Sequence, residues 1–274
     1  MTRYMLAFGL LTVVACDDKT DTTDETTDEM TDDMTDMTDT TDETDTTDTG
    51  EPATARVRVL HLGQGVPGVD VFANDAAEAA VTNLMFKEGT DYLELPVGTY
   101  DFDVALNPGS AASPALTLGA TLEADTDYVA FAYGFLDAGE TGDALAITAV
   151  TEDNDVPDGT TRLNITHAAG GVGPVDVWLL GGTPTPLATN VAFGATAPDI
   201  EYAAGAISVG LDVYALSGGT PDGTADVIFS VPDLGTGFYG VYAVNSAAAT
   251  EALDVSLVAH VGADGTIVEL SPDE

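Results

Sequence analysis

Three sets of residues in this sequence have the types and spacing for chemistry. Cys16 is the only thiol of the chain. It closes "VVAC", residues 13–16, where small and aliphatic residues lead into a sulfur that can take a diacylglycerol. Histidine and aspartate recur together: His61 precedes Asp70 by nine residues, and His167 precedes Asp176 by nine. Such a pair could orient a base for hydrolysis, the carboxylate holding the imidazole while it takes a proton. Hydrolysis also needs a nucleophile and an oxyanion donor, and no G-x-S-x-G elbow occurs in the sequence. His61 and His167 therefore read as structural, each capping the loop after its strand. The third set places aromatics beside acids. Phe72 and Trp178 stand two residues past Asp70 and Asp176, on the same side of a strand. If the neighbouring valines face a core, these aromatics face outward. Aromatics beside carboxylates suit stacking on a sugar ring or docking a protein. Phe72, Trp178, Asp70 and Asp176 are the candidate ligand-binding residues.

Metal and cofactor chemistry finds less support. The histidines fall at 61, 167 and 260, without an H-x-H or H-x-x-x-H spacing. Asp153, Asp155 and Asp158 in "DNDVPDG" are the carboxylates to consider for calcium. Their order is wrong for an EF-hand and no bidentate Glu follows at the right distance. A linker without metal is expected, with no cofactor and no enzymatic activity.

The chain has 6 basic and 47 acidic residues, a formal net charge of −41. A surface of that sign repels nucleic acid and anionic bilayers, so no nucleic-acid partner is expected. Arg3 precedes an apolar run, residues 5–15. The run has the length of a signal-peptide core and is too short to cross a bilayer as a helix. Ending at Cys16, it matches a bacterial lipoprotein signal. Residues 1–15 would be removed, and acyl chains on Cys16 would hold the membrane by about 0.8 kcal/mol per buried methylene. The expected location is the bacterial cell envelope, at the cell surface or on a periplasmic face. Lipidation leaves no thiol for a disulfide, so the fold must rest on its core. Residues 16–54 form the lipidated cysteine and a tether of Asp, Thr and Glu. The tether has too little apolar surface to fold and is extended by its own repulsion.

From residue 55 the composition changes and then repeats. "RVRVLHLGQGVPGVDVF" (56–72) lines up with "RLNITHAAGGVGPVDVW" (162–178) at a spacing of 106. "NLMF" (83–86) matches "NVAF" (190–193), and "YLELPVGTYDFDV" (92–104) matches "DIEYAAGAISVGL" (199–211). "DYVAFAYG" (127–134) matches "FYGVYAVN" (238–245). Long shared order with few gaps indicates a duplicated domain rather than a short-period solenoid. The copies are 55–152 and 161–274, joined by a polar linker at 153–160. Apolar residues in each alternate with a period of two. In "RVRVLH", Val57, Val59 and His61 share one face while Arg56, Arg58 and Leu60 share the other. In "TYDFDVAL", Tyr100, Phe102 and Val104 oppose Asp101 and Asp103, a strand with one buried and one wet face. Further strands are predicted at 69–73, 81–86, 91–95, 115–122, 127–135 and 144–150, with turn signals between them. The predicted fold class is all-β: two tandem antiparallel β-sandwich domains after a disordered acidic tether.

The opening of each copy, R-x-x-x-x-H followed by V-D-V-aromatic, resembles a bacterial domain-of-unknown-function family. That family occurs as tandem copies in exported lipoproteins and cell-wall proteins. "YLELPVGTYDFDV" and "LEADTDYVAFAYG" resemble its later segments. The resemblance implies an immunoglobulin-like or transthyretin-like sandwich and an exported location, without an established reaction. Leu62-Gly63-Gln64-Gly65 and Ala168-Ala169-Gly170-Gly171 depart from the family pattern after the His.

These readings lead to a monomeric, non-catalytic envelope lipoprotein that displays two β-sandwich modules for binding or adhesion, with a glycan or protein as ligand. The alternative is a structural spacer or matrix component without a specific ligand, and a hydrolase is disfavoured. Replacing Cys16 by Ser is expected to move the mature protein from the membrane pellet to the soluble fraction on cell fractionation.

Overall fold

Alternating apolar residues produce strands along the whole body. The computed structural model describes residues 52–137, 139, 143–181, 183–213, 224–246, 254–261 and 266–273. Residues 1–51, on which the expected export signal, Cys16 and the acidic stretch fall, lie outside the described residues. Strand is the only regular structure among those described. The first copy folds as β1 (Thr54–Gln64), β2 (Val69–Ala73), β3 (Val81–Leu84), β4 (Glu88–Gly89), β5 (Leu93–Pro96), β6 (Gly98–Leu106), β7 (Leu116–Leu122), β8 (Asp127–Phe135) and β9 (Ala146–Glu152). Strands β1, β4, β5, β8 and β9 make one sheet, and β3-β2-β6-β7 make the other. The second copy repeats the plan with β10 (Thr160–His167), β11 (Val175–Leu180), β12 (Thr185–Val191), β13 (Thr196–Ala203), β14 (Ile207–Val213), β15 (Val227–Val231), β16 (Gly237–Asn245), β17 (Val255–Val261) and β18 (Thr266–Leu270). Its sheets run β13-β10-β16-β17-β18 and β12-β11-β14-β15.

The strand ladders are antiparallel except β1 with β8 and β10 with β16. The predicted all-β fold of antiparallel sheets is found, with one parallel pairing in the inner sheet of each copy. The chain between the members of each pair passes through the other sheet, and this long crossover lets them run in the same direction. Segment 74–80 is a bent connection with Asn74 and Asp75 at positive φ. Asn and Asp tolerate that conformation better than other L residues.

Each copy has its own core. In the first, Val59, Val66, Val69, Val71, Val81, Leu84 and Val104 pack together, and Ala55, Val57, Leu95, Phe102 and Leu122 pack together. In the second, Leu163, Ile165, Val175, Val177, Leu211, Phe229 and Leu257 are among the residues between the sheets.

A further core lies between the copies. Leu60, Leu62, Val129 and Phe131 of the first meet Ala168, Tyr242, Val244 and Val258 of the second. The β1 and β10 sheets thus pack back to back as inner layers, and the β2 and β11 sheets are outer layers. Residues 52–274 form one compact unit. Strand β1 is therefore buried on both faces: Leu60 is 0% and Arg58 1% exposed. The alternation in "RVRVLH" correctly marks a strand, but its second face is not wet because a sheet more than a hundred residues away covers it. The close approach needs a glycine. A Cβ on Gly170 would lie 2.4 Å from the Phe135 ring, so this aromatic rests directly on backbone of the other copy.

Candidate functional site

The two histidine loops are built alike. His61 ends the core-facing series of β1 and is 0% exposed. Its Nε2 donates to the carbonyl of Pro67 at 3.1 Å, and its Nδ1 accepts the Gly63 N–H at 3.2 Å. His167, 1% exposed, directs Nε2 to the carbonyls of Gly173 at 3.1 Å and Val172 at 3.3 Å. Each ring spans the loop between the first two strands of its copy. Each also has an aromatic edge contact at a matching position, Phe86 for His61 and Phe193 for His167. Burial lowers both imidazoles from their ordinary value, and the loop carbonyls only partly oppose it. A neutral ring suits the donor and acceptor roles of His61, since protonated Nδ1 could not accept from Gly63.

The paired aspartates each accept the backbone N–H of an asparagine. Asp70, 5% exposed, accepts from Asn83 N at 2.8 Å, Asn107 Nδ2 at 2.8 Å and Gly109 N at 2.9 Å. Burial opposes its charge, yet these three bonds hold the carboxyl below its usual range. Asp176 takes the same place in the second copy, accepting from Asn190 N at 2.7 Å. Asn83 and Asn190 sit at φ of 50° and 52°, beside register shifts in the β2–β3 and β11–β12 pairings. Each aspartate thus ties down a bulge. The asparagines were not singled out from sequence, although both open the matching "NLMF" and "NVAF" segments and that recurrence was the available signal.

The expectation of outward-facing aromatics is corrected at Phe72, which is 4% exposed. Parity places it on the side of Asp70, away from the core valines, but connecting segments fold over that side of β2. Gly109 of the β6–β7 connection reaches Asp70 there. Trp178 is half-buried. It lies opposite Gly210, which lies opposite Ile228 on β15. Ile228 is 40% exposed, so this row keeps accessible apolar surface on the outer sheet of the second copy.

The linker carboxylates do not converge. Asp153 is paired with Arg162, whose guanidinium also takes Glu201 at 2.6 Å and the carbonyl of Asp155 at 3.0 Å. Among the described residues, no group of three or more His, Cys, Asp or Glu is arranged to hold a metal. The enclosed apolar space in the second core, bordered by Leu163, Val177, Leu211, Val241 and Leu257, has a volume of about 30 Å³. That is room for about one water molecule, a packing void rather than a ligand cavity.

The strongest electrostatic feature is a polar bridge sealed at the inner sheets. Arg58 donates to Glu152 Oε1 at 2.5 Å and to Nδ1 of His260 from the other copy. Tyr92 donates to Glu152 Oε2 at 2.6 Å, and its ring lies 4.9 Å from the Arg58 guanidinium. Asn154 links Tyr92 to Asp127, which Arg56 holds through two bonds. Burial pushes the Glu152 carboxyl above its ordinary value, against the pull of Arg58. Burial and Glu152 push the Tyr92 hydroxyl up. In this contact Nδ1 of His260 is the acceptor, because a guanidinium has only donors. With Arg58, Glu152 and His260 all within 5% of full burial, the centre of this cluster holds elements of both copies together.

Residues 55–178 match the family model described as Domain of unknown function (DUF4397). The match covers the first copy and continues through β10 to Trp178 on β11. No curated protein matches the chain.

Two measurements check this picture. Glu152→Ala, which strands a buried guanidinium, should cost about 3–5 kcal/mol in urea unfolding. The double variant Arg58→Met with Glu152→Leu should lie much closer to the parent, because an apolar replacement removes both desolvation costs. Acid should also weaken the fold through His61 and His167. Their folded values are depressed, so below ~6.5 the unfolded chain binds protons that the folded chain refuses. The urea midpoint should fall from pH 7.5 to 5.5, and less in a His61→Gln variant.

Proposed function

We propose that the protein is a non-catalytic lipoprotein of a bacterial cell envelope, anchored through Cys16, whose fused β-sandwiches serve binding or adhesion. The observation that carries this reading is the engagement of its chemistry-bearing groups in the fold. His61 and His167 close loops, Asp70 and Asp176 tie bulges, and Glu152 and His260 meet Arg58 inside the body. What remains for a partner is surface, and that surface is acidic. All four basic residues of the body, Arg56, Arg58, Lys87 and Arg162, are already in ion pairs. An acidic stalk leading to a stiff body favours display away from the membrane, where tethering raises local concentration.

Within the body, the Trp178–Gly210–Ile228 row is the best-supported contact surface. Indole faces stack on sugar rings, and Ser208 and Ser230 lie in the adjacent row beside an open groove. The burial of Phe72 favours the second reading, a spacer without a specific ligand, for the first copy. Binding of the full mature chain to an array of cell-surface glycans, at least tenfold weaker for Trp178→Ala, supports the binding reading. Binding to no glycan, or equal binding by the variant, contradicts the assignment.

A further inference from the structure

The contacts joining the two copies come in matched pairs. Strand register defines which residues correspond. Arg58, Leu60 and Val150 align with Val129, Phe131 and Val129 in the first inner sheet. Asn164, Thr166 and His260 align with Gly240, Tyr242 and Gly240 in the second. Arg58 therefore corresponds to Asn164, Phe131 to Tyr242 and Val150 to His260. The 106-residue spacing along β1 and β10 makes Gln64 the counterpart of Gly170, and the register offset makes Phe135 that of Ser246.

Across the interface, Phe131 meets its own counterpart, with ring centroids of Phe131 and Tyr242 5.4 Å apart. Phe135 rests on Gly170, and the reciprocal contact is made, Gln64 Nε2 donating to Ser246 O at 3.3 Å. Arg58 reaches His260, and its counterpart Asn164 donates to the carbonyl of Thr151 at 3.1 Å, next to Val150. When i meets j and the counterpart of j meets the counterpart of i, the two bodies are related by a two-fold axis. A residue that meets its own counterpart marks that axis.

We propose that the inner-sheet face is a self-complementary association surface whose partner is a second sandwich of the same kind, here fused into one chain. Its apolar centre, from Leu60 and Phe131 to Tyr242 and Val258, resembles a dimer interface rather than a contact imposed by the linker. Arg58 and His260 break the symmetry and set the choice of partner. In a pairing of two first copies, Arg58 would face Val150 in place of the His260 acceptor, and this loss would occur twice. The face thus joins first to second copy in preference to first with first.

The test uses the mature chain carrying Cys16→Ser and a protease site inserted after Val156. After complete cutting, the two halves should co-elute in size-exclusion chromatography and stay together on dilution to the low micromolar range. Separation of the halves, as folded species or as a precipitate, overturns the proposal. The choice of partner is read by mixing cut proteins whose first copies bear two different tags. First-with-first capture should be at least tenfold greater for Arg58→Asn with Glu152→Gln than for the parent. Equal capture overturns the role given to Arg58.

Discussion

A guanidinium shut between two sheets sets the terms for the rest of this structure. Arg58 is 1% exposed, and a charge in such a place is tolerated only when its hydrogen bonds are met and an opposite charge is close. Glu152 supplies the charge from the far end of the same inner sheet, Tyr92 supplies a ring face and holds the carboxylate, and His260 supplies an acceptor from the other copy. Residues from β1, the β4–β5 connection, β9 and β17 must therefore come to one point. Asn154 extends the network into the linker, and Arg162 pins the linker from its other end. Around this polar centre the apolar contacts of Phe131, Tyr242 and Val258 do the larger share of the stabilising, at about 1.5–3 kcal/mol per buried large side chain.

The legible part of the fold was local. Period-two alternation located β1, β2, β6, β7 and β8, and turn residues located the breaks between them. The duplication was legible as well, and it made the twin histidines and the V-D-V aspartates visible as a pair. What could not be read was the second face of the inner sheets. Arg56 and Arg58 look the same in sequence, yet one is partly exposed beside Asp127 and the other is sealed. The difference is set by partners 94 and 202 residues away. Phe72 teaches the same lesson on a smaller scale. Parity gave the correct side of its strand, but parity does not know that a connection folds over that side.

The twin architecture also bears on how such a chain would act. The two outer sheets face away from a shared centre, and the positions they display are related by the same pseudo-symmetry as the core. The copies have diverged at those positions: the first buries Phe72, while its counterpart Trp178 in the second is half-buried, in line with the exposed Ile228. With each basic residue of the body paired, the field around it is set by unpaired acids. A field of that sign repels anions.

Packed into one compact unit, the two sandwiches are expected to unfold as one cooperative body. Differential scanning calorimetry of the mature chain tests this directly. A single transition with equal calorimetric and van't Hoff enthalpies is expected. Two separable transitions, each with the enthalpy of one sandwich, would contradict it.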